Sequence, residues 1–359
     1  MRPASEAELA EAVAGSVGPL VIRGGATRFV GGAEGEVLQT SGLAGVVLYE
    51  PAALTLVVRA GTPLAEVEAL LASERQRLAF EPPDLRGLLG REGVSTIGGV
   101  AAANASGPRR VQAGACRDAM IGVRFVTGRG EVVKNGGRVM KNVTGYDLVK
   151  LMAGSHGVLG VLSEVSFKLQ AMPEAEATLV LEGLDDAAGL AALRRALGSP
   201  FDVSGAARVA GRSLLRVEGM AGSVSYRLGR LRQMLAGDAT VLEGTASAAL
   251  WREVREVTAL AGRPGDLWRL ALVPSAAAEV AAAVGGEAVF DRGGGLVWLL
   301  LPEGQGEALR TAIAGRGQAA LIRGAGASPF APEAAEVAAL SAGLKAAFDP
   351  RGILNRGLI

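Results

Sequence analysis

The chain of 359 residues contains one cysteine, Cys116, and one histidine, His156. A single cysteine excludes an internal disulfide and a cluster held only by cysteine thiolates. A single histidine excludes, within one chain, a metal site built from several imidazoles and a mechanism that uses two histidines. The sequence therefore predicts no metal site, and Cys116 is expected to be a small buried side chain.

Excess charge and long apolar runs are also missing. The formal net charge is +1, so no basic field attracts nucleic acid. No run approaches the roughly 20 apolar residues of a membrane span, and the N-terminus lacks the apolar core of a signal peptide. These features predict a cytoplasmic protein without a membrane span, which associates with a membrane only through partner subunits.

Glycine, in contrast, is abundant. The chain has 52 glycines, and 49% of its residues are hydrophobic, which suits a packed globular protein with more than one domain. Gly-Gly pairs occur about as often as random placement gives at this glycine content. A glycine pair is therefore informative only through its neighbours and its order along the chain.

The hydrophobic pattern predicts strands and helices along the whole chain, and its character changes near residue 175, where the dense glycine loops end. Strands are predicted at 19–23, 45–51, 54–61, 161–173, 267–274 and 295–302, with a hairpin at 118–137. Helices are predicted at 62–75, 146–160 and 225–237, and a helix, a polar turn and an apolar tail follow over 334–359. In the first of these helices Thr62 is the predicted cap and Pro63 the first residue.

Two glycine-rich loops are candidate ligand sites, "GGATR" at 24–28 and "STIGGVAAANASG" at 95–107. Successive small residues let backbone N–H groups converge on phosphate oxygens. Tight turns are the alternative for either loop alone. Neither loop has the Gly-x-Gly-x-x-Gly pattern of a Rossmann fold, and a Gly-Lys-Ser/Thr P-loop is absent.

Four segments in order resemble one known family. The strand before "RGGATRFVGG", then "STIGGVAAANASGP", "DAMIGVRFVTGRGEVV" and "GVLGVLSEVSFKL" look like the FAD-binding domain of the vanillyl-alcohol oxidase/p-cresol methylhydroxylase superfamily. The resemblance implies an α+β fold with a PCMH-type FAD-binding domain of two α+β subdomains. It further implies an α+β cap domain inserted before a C-terminal segment that returns to the flavin. The expected domains are 1–172, 173–335 and 336–359.

The resemblance assigns cofactor-binding residues position by position. The first loop would hold the FAD diphosphate, the second would run along the diphosphate and the flavin, and Gly160 and Val161 would lie by the adenine. Pro83 and Asn355 would lie at the cofactor's edge. The residues of the two loops assigned in this way are Gly24, Gly25, Ala26, Thr27, Arg28, Thr96, Ile97, Gly98, Gly99, Ala102 and Asn104.

The resemblance also implies how FAD is held. The first loop offers Thr27 and Arg28 where covalent members commonly carry a histidine, so the FAD is expected to be non-covalent. A Gly25→Asp change is expected to weaken binding by placing a charge against the diphosphate.

A closer similarity covers residues 136–169, which resemble bacterial glycolate oxidase subunits and related D-2-hydroxyacid dehydrogenases. The short chain and the segment "GGRVMKN" favour the smaller, E-type FAD-binding subunit. The ending "FDPRGILNRG" keeps Asn355 but has Arg356 where proline is usual. The implied function is oxidation of glycolate to glyoxylate, with electrons passed to the flavin and on to an iron–sulfur partner. The implied partners are a second FAD-containing catalytic subunit, an iron–sulfur subunit and a small 2-hydroxyacid substrate.

Two alternatives remain open. Related dehydrogenases carry several histidines beside the substrate, and this chain has none after His156. An accessory subunit that binds FAD and stabilises or relays electrons for a catalytic partner is therefore the second hypothesis. A third is another flavoenzyme on the same domain, such as UDP-N-acetylenolpyruvoylglucosamine reductase, although "MKNVTGYDLVKLMAGSHG" argues against it.

No catalytic residue is assigned from the sequence. Arg323 and Arg351 are candidates for gripping a carboxylate, because the planar guanidinium fits two oxygens. His156 is expected to be a hydrogen-bonded residue at a helix end, and Tyr146 and Asp147 to hold a helix start. Lys141 is a candidate for neutralising cofactor charge.

Overall fold

The computed structural model describes residues 1–28, 31–137, 145–235, 238–324 and 329–358. The elements up to residue 171 are α1 (Glu6–Gly15), β1 (Leu20–Arg23), β2 (Glu36–Gln39), β3 (Val46–Glu50), β4 (Thr55–Arg59), α2 (Leu64–Ser73), β5 (Gln76–Arg77), α3 (Arg86–Leu89), α4 (Ile97–Ala102), α5 (Arg110–Ala113), α6 (Cys116–Ala119), β6 (Met120–Val126), β7 (Val132–Gly136), α7 (Leu148–Met152), β8 (Val161–Lys168) and β9 (Gln170–Ala171).

Most of these strands belong to two small sheets. β1 and β2 form a parallel pair, while an antiparallel sheet has the order β3-β4-β8-β6-β7. Strands β4 and β8 are buried along most of their length, which explains their apolar sequences. The predicted hairpin over 118–137 is confirmed as β6 and β7, and Cys116 is confirmed as a buried side chain.

Two local predictions were wrong. Thr62 does not cap α2, because its hydroxyl is already bonded to the N–H of Gly45 at 2.9 Å and the carbonyl of Arg59 at 2.8 Å. Pro63 is therefore the N-cap and Leu64 the first helical residue. The small-residue stretch 95–107 was expected to be a loop, but it contains helix α4.

The chain changes sheet between residues 171 and 175. The following elements are β10 (Ala175–Glu182), α8 (Asp186–Leu197), β11 (Val203–Val209), β12 (Arg212–Gly219), α9 (Ala221–Met234), β13 (Asp238–Glu243), α10 (Gly244–Glu256), β14 (Asp266–Leu272), α11 (Ala277–Val284), β15 (Glu287–Asp291), β16 (Leu296–Leu301), α12 (Gly306–Ile313) and β17 (Gly317–Arg323). Their eight strands form one sheet in the order β13-β10-β12-β11-β15-β16-β14-β17. We call the part of the chain from β10 to β17 the cap.

The two faces of the cap sheet have different neighbours. Helices α8, α9, α11 and α12 pack their apolar residues against one face and form the largest core of the chain. The other face packs against α10 and against the loop that carries α3. Because α3 belongs to the first part of the chain, this second face meets residues 1–171.

A buried network of ions joins the cap to the first part of the chain. Arg216 of β12 binds Glu81 at 2.8 Å, and Glu218 accepts hydrogen bonds from Arg109 at 2.9 Å and Arg77 at 2.5 Å. The Arg216 side chain is 1% exposed. Buried charges need such partners, because removing one partner leaves the other unpaired.

The last described element is α13 (Ala335–Phe348), and the tail that follows returns to β1. The N–H of Leu20 donates to the carbonyl of Ile353 at 2.7 Å, and the N–H of Asn355 donates to Leu20 at 2.9 Å. The C-terminal tail thereby extends the edge of the small parallel sheet. No helix in the described part of the chain has the length and apolar character needed to span a bilayer.

Candidate functional site

The loop after β1 forms one wall of a cleft of about 740 Å³, part of which is open to solvent. The lining residues are Ile22, Arg23, Gly24, Gly25, Ala26, Thr27, Arg28, Thr40, Ala60, Thr96, Gly98, Gly99, Ala102, Ala103, His156, Gly157, Gly160, Leu162 and Leu358. The structure thus brings both glycine-rich loops into one cleft.

The two glycine-rich loops pack directly on each other. A Cβ at Gly25 would overlap the carbonyl oxygen of Val94, and a Cβ at Gly24 would overlap the hydroxyl of Thr96. These glycines are therefore required by the contact between the loops. Any side chain at Gly25 displaces the second loop, so Gly25→Asp acts through packing as well as through charge.

Thr96 fixes the start of the second loop. Its hydroxyl accepts a hydrogen bond from the N–H of Gly99 at 3.3 Å and caps α4. The N–H of Gly98 donates to the carbonyl of Ala60 at 2.7 Å, which anchors α4 to the end of β4. Small residues on this turn leave the backbone open to the cleft.

Arg28 ties the first loop to its neighbours. Its guanidinium donates to the hydroxyl of Ser95 and to the carbonyl of Pro83, and the residue is 8% exposed. Burial lowers its pKa to about 10, so it is charged at neutral pH. Its Nε is buried without a hydrogen-bond partner, and no carboxylate forms an ion pair with it among the described residues. A buried cation that lines the cleft in this way fits an anionic ligand.

Asn355 is buried behind the cleft and does not line it. Its side-chain oxygen accepts a hydrogen bond from the N–H of Ile22 at 2.7 Å, and its side-chain nitrogen donates to the carbonyl of His156 at 2.7 Å. Ile22 and His156 both line the cleft. Asn355 therefore joins two walls of the cleft through the C-terminal tail.

His156 lies at the cleft in a left-handed backbone conformation, with φ of +50°. Its N–H donates to the carbonyl of Ala102 at 2.9 Å, as expected for a residue held by backbone hydrogen bonds. Burial and, second, the charge of Arg269 lower the pKa of the imidazole, so the ring is neutral at pH 7. The ring lies 6.0 Å from the ring of Phe330.

Four other residues assigned from the sequence support the cleft from behind. Ile97 and Val161 are fully buried in the core. The side chain of Asn104 accepts a hydrogen bond from the N–H of Arg117 at 3.0 Å, while Pro83 receives Arg28 on its carbonyl. Their assignment to direct cofactor contact stays a prediction.

The two arginines proposed to grip a carboxylate are used elsewhere. Arg351 donates to the carbonyls of Val13, Ala14, Ser16 and Gly128, which fixes the end of α1. Arg323 donates to the carbonyls of Leu88 and Arg263. The structure therefore uses both guanidinium groups to tie backbone segments together.

The remaining sequence candidates have mixed outcomes. Asp147 caps α7 by accepting from the N–H of Lys150 at 3.1 Å, which confirms its place at a helix start. Tyr146 is 89% exposed, so it does not hold that helix by packing. Lys141 lies outside the described residues.

Several lining residues were missed by the sequence reasoning: Ile22, Arg23, Thr40, Ala60, Ala103, Gly157, Leu162 and Leu358. Arg23 precedes the first glycine loop directly and could have been found from that position. Thr40 directly follows β2. Leu358 lies in the C-terminal tail, whose return to β1 no local pattern indicates. Long-range strand pairing alone brings them to the cleft.

Comparison with known proteins agrees with this geometry. Residues 1–136 match the family model of an FAD binding domain. The chain is similar to glycolate oxidase subunit GlcE of Escherichia coli (strain K12), with 36% identity over 343 residues that cover 94% of this chain and 92% of that protein. It is also similar to glycolate oxidase subunit GlcD of Bacillus subtilis (strain 168), with 35% identity over 176 residues, 47% of this chain and 36% of that protein.

A solved structure of alkyldihydroxyacetonephosphate synthase shares the fold. Its TM-score is 0.70 at 15% identity, over 99% of this chain and 75% of that one. The family match and the similarity to glycolate oxidase subunit GlcE define the class of protein, an FAD-linked oxidoreductase with a PCMH-type FAD-binding domain, and the shared fold agrees with it. Within that class, the chain belongs to the family of glycolate oxidase subunit GlcE.

FAD is the cofactor of this family, and the cleft residues fit it. Arg28 supplies a buried positive charge, and its Nε lacks a partner among the described residues. The loops 24–28 and 96–99 present small residues whose backbone a long, flat anionic molecule can approach. These features suit the diphosphate of FAD without a covalent bond.

Proposed function

We propose that this chain is the FAD-binding subunit of a glycolate oxidase complex and takes part in oxidising glycolate, a small 2-hydroxy acid, to glyoxylate. The observation that carries the proposal is the similarity to subunit GlcE along almost the whole of both chains. The cleft, with its two interlocked loops, supports it. We place the complex in the cytoplasm, with any membrane contact made through partner subunits.

The residues of the chain have separate tasks in this proposal. Bound FAD would supply the acceptor for the hydride that the 2-hydroxy acid loses. Loops 24–28 and 96–99 would hold the diphosphate, with Arg28 balancing its charge, and Asn355 would keep the walls of the cleft in register. The cap would cover the substrate side and exclude water.

An accessory role is the second candidate. The chain has one histidine, and the neutral His156 is held by backbone contacts. In that case a partner, of the kind that the similarity to subunit GlcD indicates, would carry the chemistry and pass electrons to an iron–sulfur subunit.

An anaerobic titration with glycolate separates the two roles. The FAD-loaded chain is mixed with glycolate without oxygen, first alone and then with the other subunits of the complex. Flavin bleaching by the chain alone supports catalysis here, and bleaching only in the complex supports the accessory role. If the flavin of this chain stays oxidised in both, the proposed function is wrong.

Helix α13 supports membership of a complex. Val337, Leu340 and Leu344 share one face at helical spacing and are 48%, 71% and 41% exposed. A helix of 14 residues with such a face gains little stability in water without a covering partner. We propose that a partner subunit covers this face.

The variant Leu340→Glu tests this contact. It removes an exposed apolar side chain, so we expect the stability of the isolated chain to change by less than about 0.5 kcal/mol. Co-purification with the other subunits should fall at least tenfold, while Glu303→Gln, on an exposed turn, serves as a control. Unchanged co-purification of Leu340→Glu would remove α13 from the interface.

A further inference from the structure

Three arginines lie where the cap meets the first part of the chain, and we call Arg110, Arg269 and Arg292 the arginine cluster. Arg269 lies on β14, where Trp268 and Leu270 point into the helix-covered core. Because side chains alternate along a strand, Arg269 points to the opposite face. That face meets the cofactor-binding part of the chain, residues 1–171. It is paired across the sheet with Trp298, which is buried on that same face.

The other two arginines approach from neighbouring elements. Arg292 follows β15, and its guanidinium donates to the carbonyl of Ser106 at 2.7 Å, across the boundary between cap and cofactor-binding part. Arg110 begins α5, which packs against β11 of the cap. The cluster therefore lies on the boundary itself.

The positive charge of the arginine cluster is not balanced. Among the described residues, Asp291 is the carboxylate that acts on Arg269 and Arg292: its side chain accepts from the N–H of Arg292 at 2.7 Å and lies 3.9 Å from the guanidinium of Arg292. Within the described ranges, the guanidinium groups of Arg110 and Arg269 have no hydrogen bond or ion pair, and the buried Nε of Arg292 has no hydrogen-bond partner. Three cations thus face one carboxylate.

None of the residues outside the described ranges is Asp or Glu. Half-buried guanidinium groups without counter-ions are costly, because burial disfavours an unpaired charge. Such a surplus marks a place for an anion that is not part of the chain.

Electrostatic effects tie the cluster to the cleft. The charge of Arg269 adds to burial in lowering the pKa of His156, which lines the cleft. Burial lowers the pKa of Arg292 to about 10, against the opposing effect of Asp291, and the neighbouring Arg110 and Arg269 lower it further. With a pKa of about 10, Arg292 is still protonated at neutral pH.

We propose that the arginine cluster binds the carboxylate of the substrate at the cap side of the cleft, with Arg110 and Arg269 making the direct contacts. Arg292 is held by Ser106 of the first part of the chain and by Asp291 of the cap, so it fixes these two parts against each other. A planar guanidinium binds the two oxygens of a carboxylate with paired hydrogen bonds. The inference rests on the proposed function and names the substrate group that this part of the site recognises.

Oxalate is a suitable probe. It carries a carboxylate beside a second oxygenated carbon, as a 2-hydroxy acid does, but it has no C–H bond from which a hydride can leave. Binding to the FAD-loaded chain is measured by calorimetry and by the change in flavin absorbance, in the absence of any electron acceptor. The readout is therefore independent of turnover.

We expect Arg269→Met to raise the Kd of oxalate at least tenfold, and Arg269→Lys to lie between this variant and the native chain. The affinity for FAD should change less than twofold. Arg252→Met, which removes the same charge from an exposed position on α10, should leave oxalate binding unchanged. Should Arg269→Met fail to bind FAD, Arg110→Met takes its place, with an expected increase in Kd of at least fivefold.

Equal oxalate affinity in the native chain and in the Arg269 and Arg110 variants would overturn the inference, as would the absence of oxalate binding to the native chain. The proposed function fails separately. If oxalate binding depends on the arginines but glycolate does not bleach the flavin, alone or in the complex, the anion site is supported and glycolate oxidation is excluded. If glycolate bleaches the flavin but oxalate binding does not depend on either arginine, glycolate oxidation is supported and the anion site is excluded.

Discussion

Asn355 shows how a single residue holds this cleft together. It bonds the N–H of Ile22 on one wall and the carbonyl of His156 on the other, and it is 3% exposed. The sequence indicated its position through similarity to endings that return to a flavin. Its role as a clamp could not be predicted, because it depends on a hydrogen bond across 333 residues of chain.

Asn355→Asp separates the two halves of this clamp. The carboxylate still accepts from Ile22, but it loses the donor to His156 and faces a carbonyl oxygen. We expect the free energy of unfolding of the FAD-free chain to fall by about 1–3 kcal/mol and the Kd of FAD to rise about tenfold. Urea unfolding and quenching of FAD fluorescence measure the two effects.

Arg356→Ala, at the exposed neighbouring position, is the matched control and should leave both quantities unchanged. If Asn355→Asp binds FAD as tightly as the native chain, Asn355 does not position the cleft.

At the scale of elements, strands were predicted better than short helices. The apolar segments at 267–274 and 295–302 are confirmed as β14 and β16, because a buried strand imposes a continuous apolar run. Helix α4 was missed, since its six residues are nearly all small and carry no apolar face of helical period. Its start is fixed by the Thr96 cap and by a backbone bond to Ala60, which no local pattern shows.

The cap of α4 can be tested with a matched pair of variants at Thr96. Thr96→Val keeps the shape but leaves the N–H of Gly99 without its acceptor, while Thr96→Ser keeps the acceptor. We expect Thr96→Val to cost about 0.5–2 kcal/mol of stability and to weaken FAD binding, because Gly98 and Gly99 line the cleft. Thr96→Ser should stay near the native values in thermal unfolding and FAD titration, and equal losses in both variants would exclude capping as the cause.

At the scale of the whole molecule, the buried ion network sets how the cap meets the cofactor-binding part. The cap sheet starts at Ala175, and the domain boundary expected between residues 172 and 173 stays a prediction. The order of the eight strands and the pairing of Glu81 with Arg216 are beyond prediction from the sequence, because both depend on contacts between distant segments.

This network makes stability depend on pH. Burial opposes ionisation of Glu81, but Arg216 and Arg109 outweigh it and lower its pKa to about 2. A carboxyl with a lowered pKa in the folded state stabilises the fold above its unfolded pKa, near 4.5, and this contribution is lost as the pH falls toward 2. The native chain should therefore lose stability steeply below about pH 5.

Glu81→Gln should remove part of that pH dependence. At pH 7 it leaves Arg216 and Arg109 short of a counter-ion and should cost roughly 3–5 kcal/mol. Urea midpoints measured from about pH 7 to pH 3 should fall less for Glu81→Gln than for the native chain, whereas Glu303→Gln, at an exposed position, should follow the native curve. Parallel curves for Glu81→Gln and the native chain would contradict this assignment.

The central claim is that the cleft between the two interlocked glycine loops holds FAD, and a flavin titration tests it most directly. The chain is stripped of flavin and titrated with FAD while fluorescence quenching and absorbance are followed. We predict saturable binding of one FAD per chain, with a yellow product that releases its flavin on denaturation. A stripped chain that stays colourless and does not quench FAD fluorescence would contradict the account.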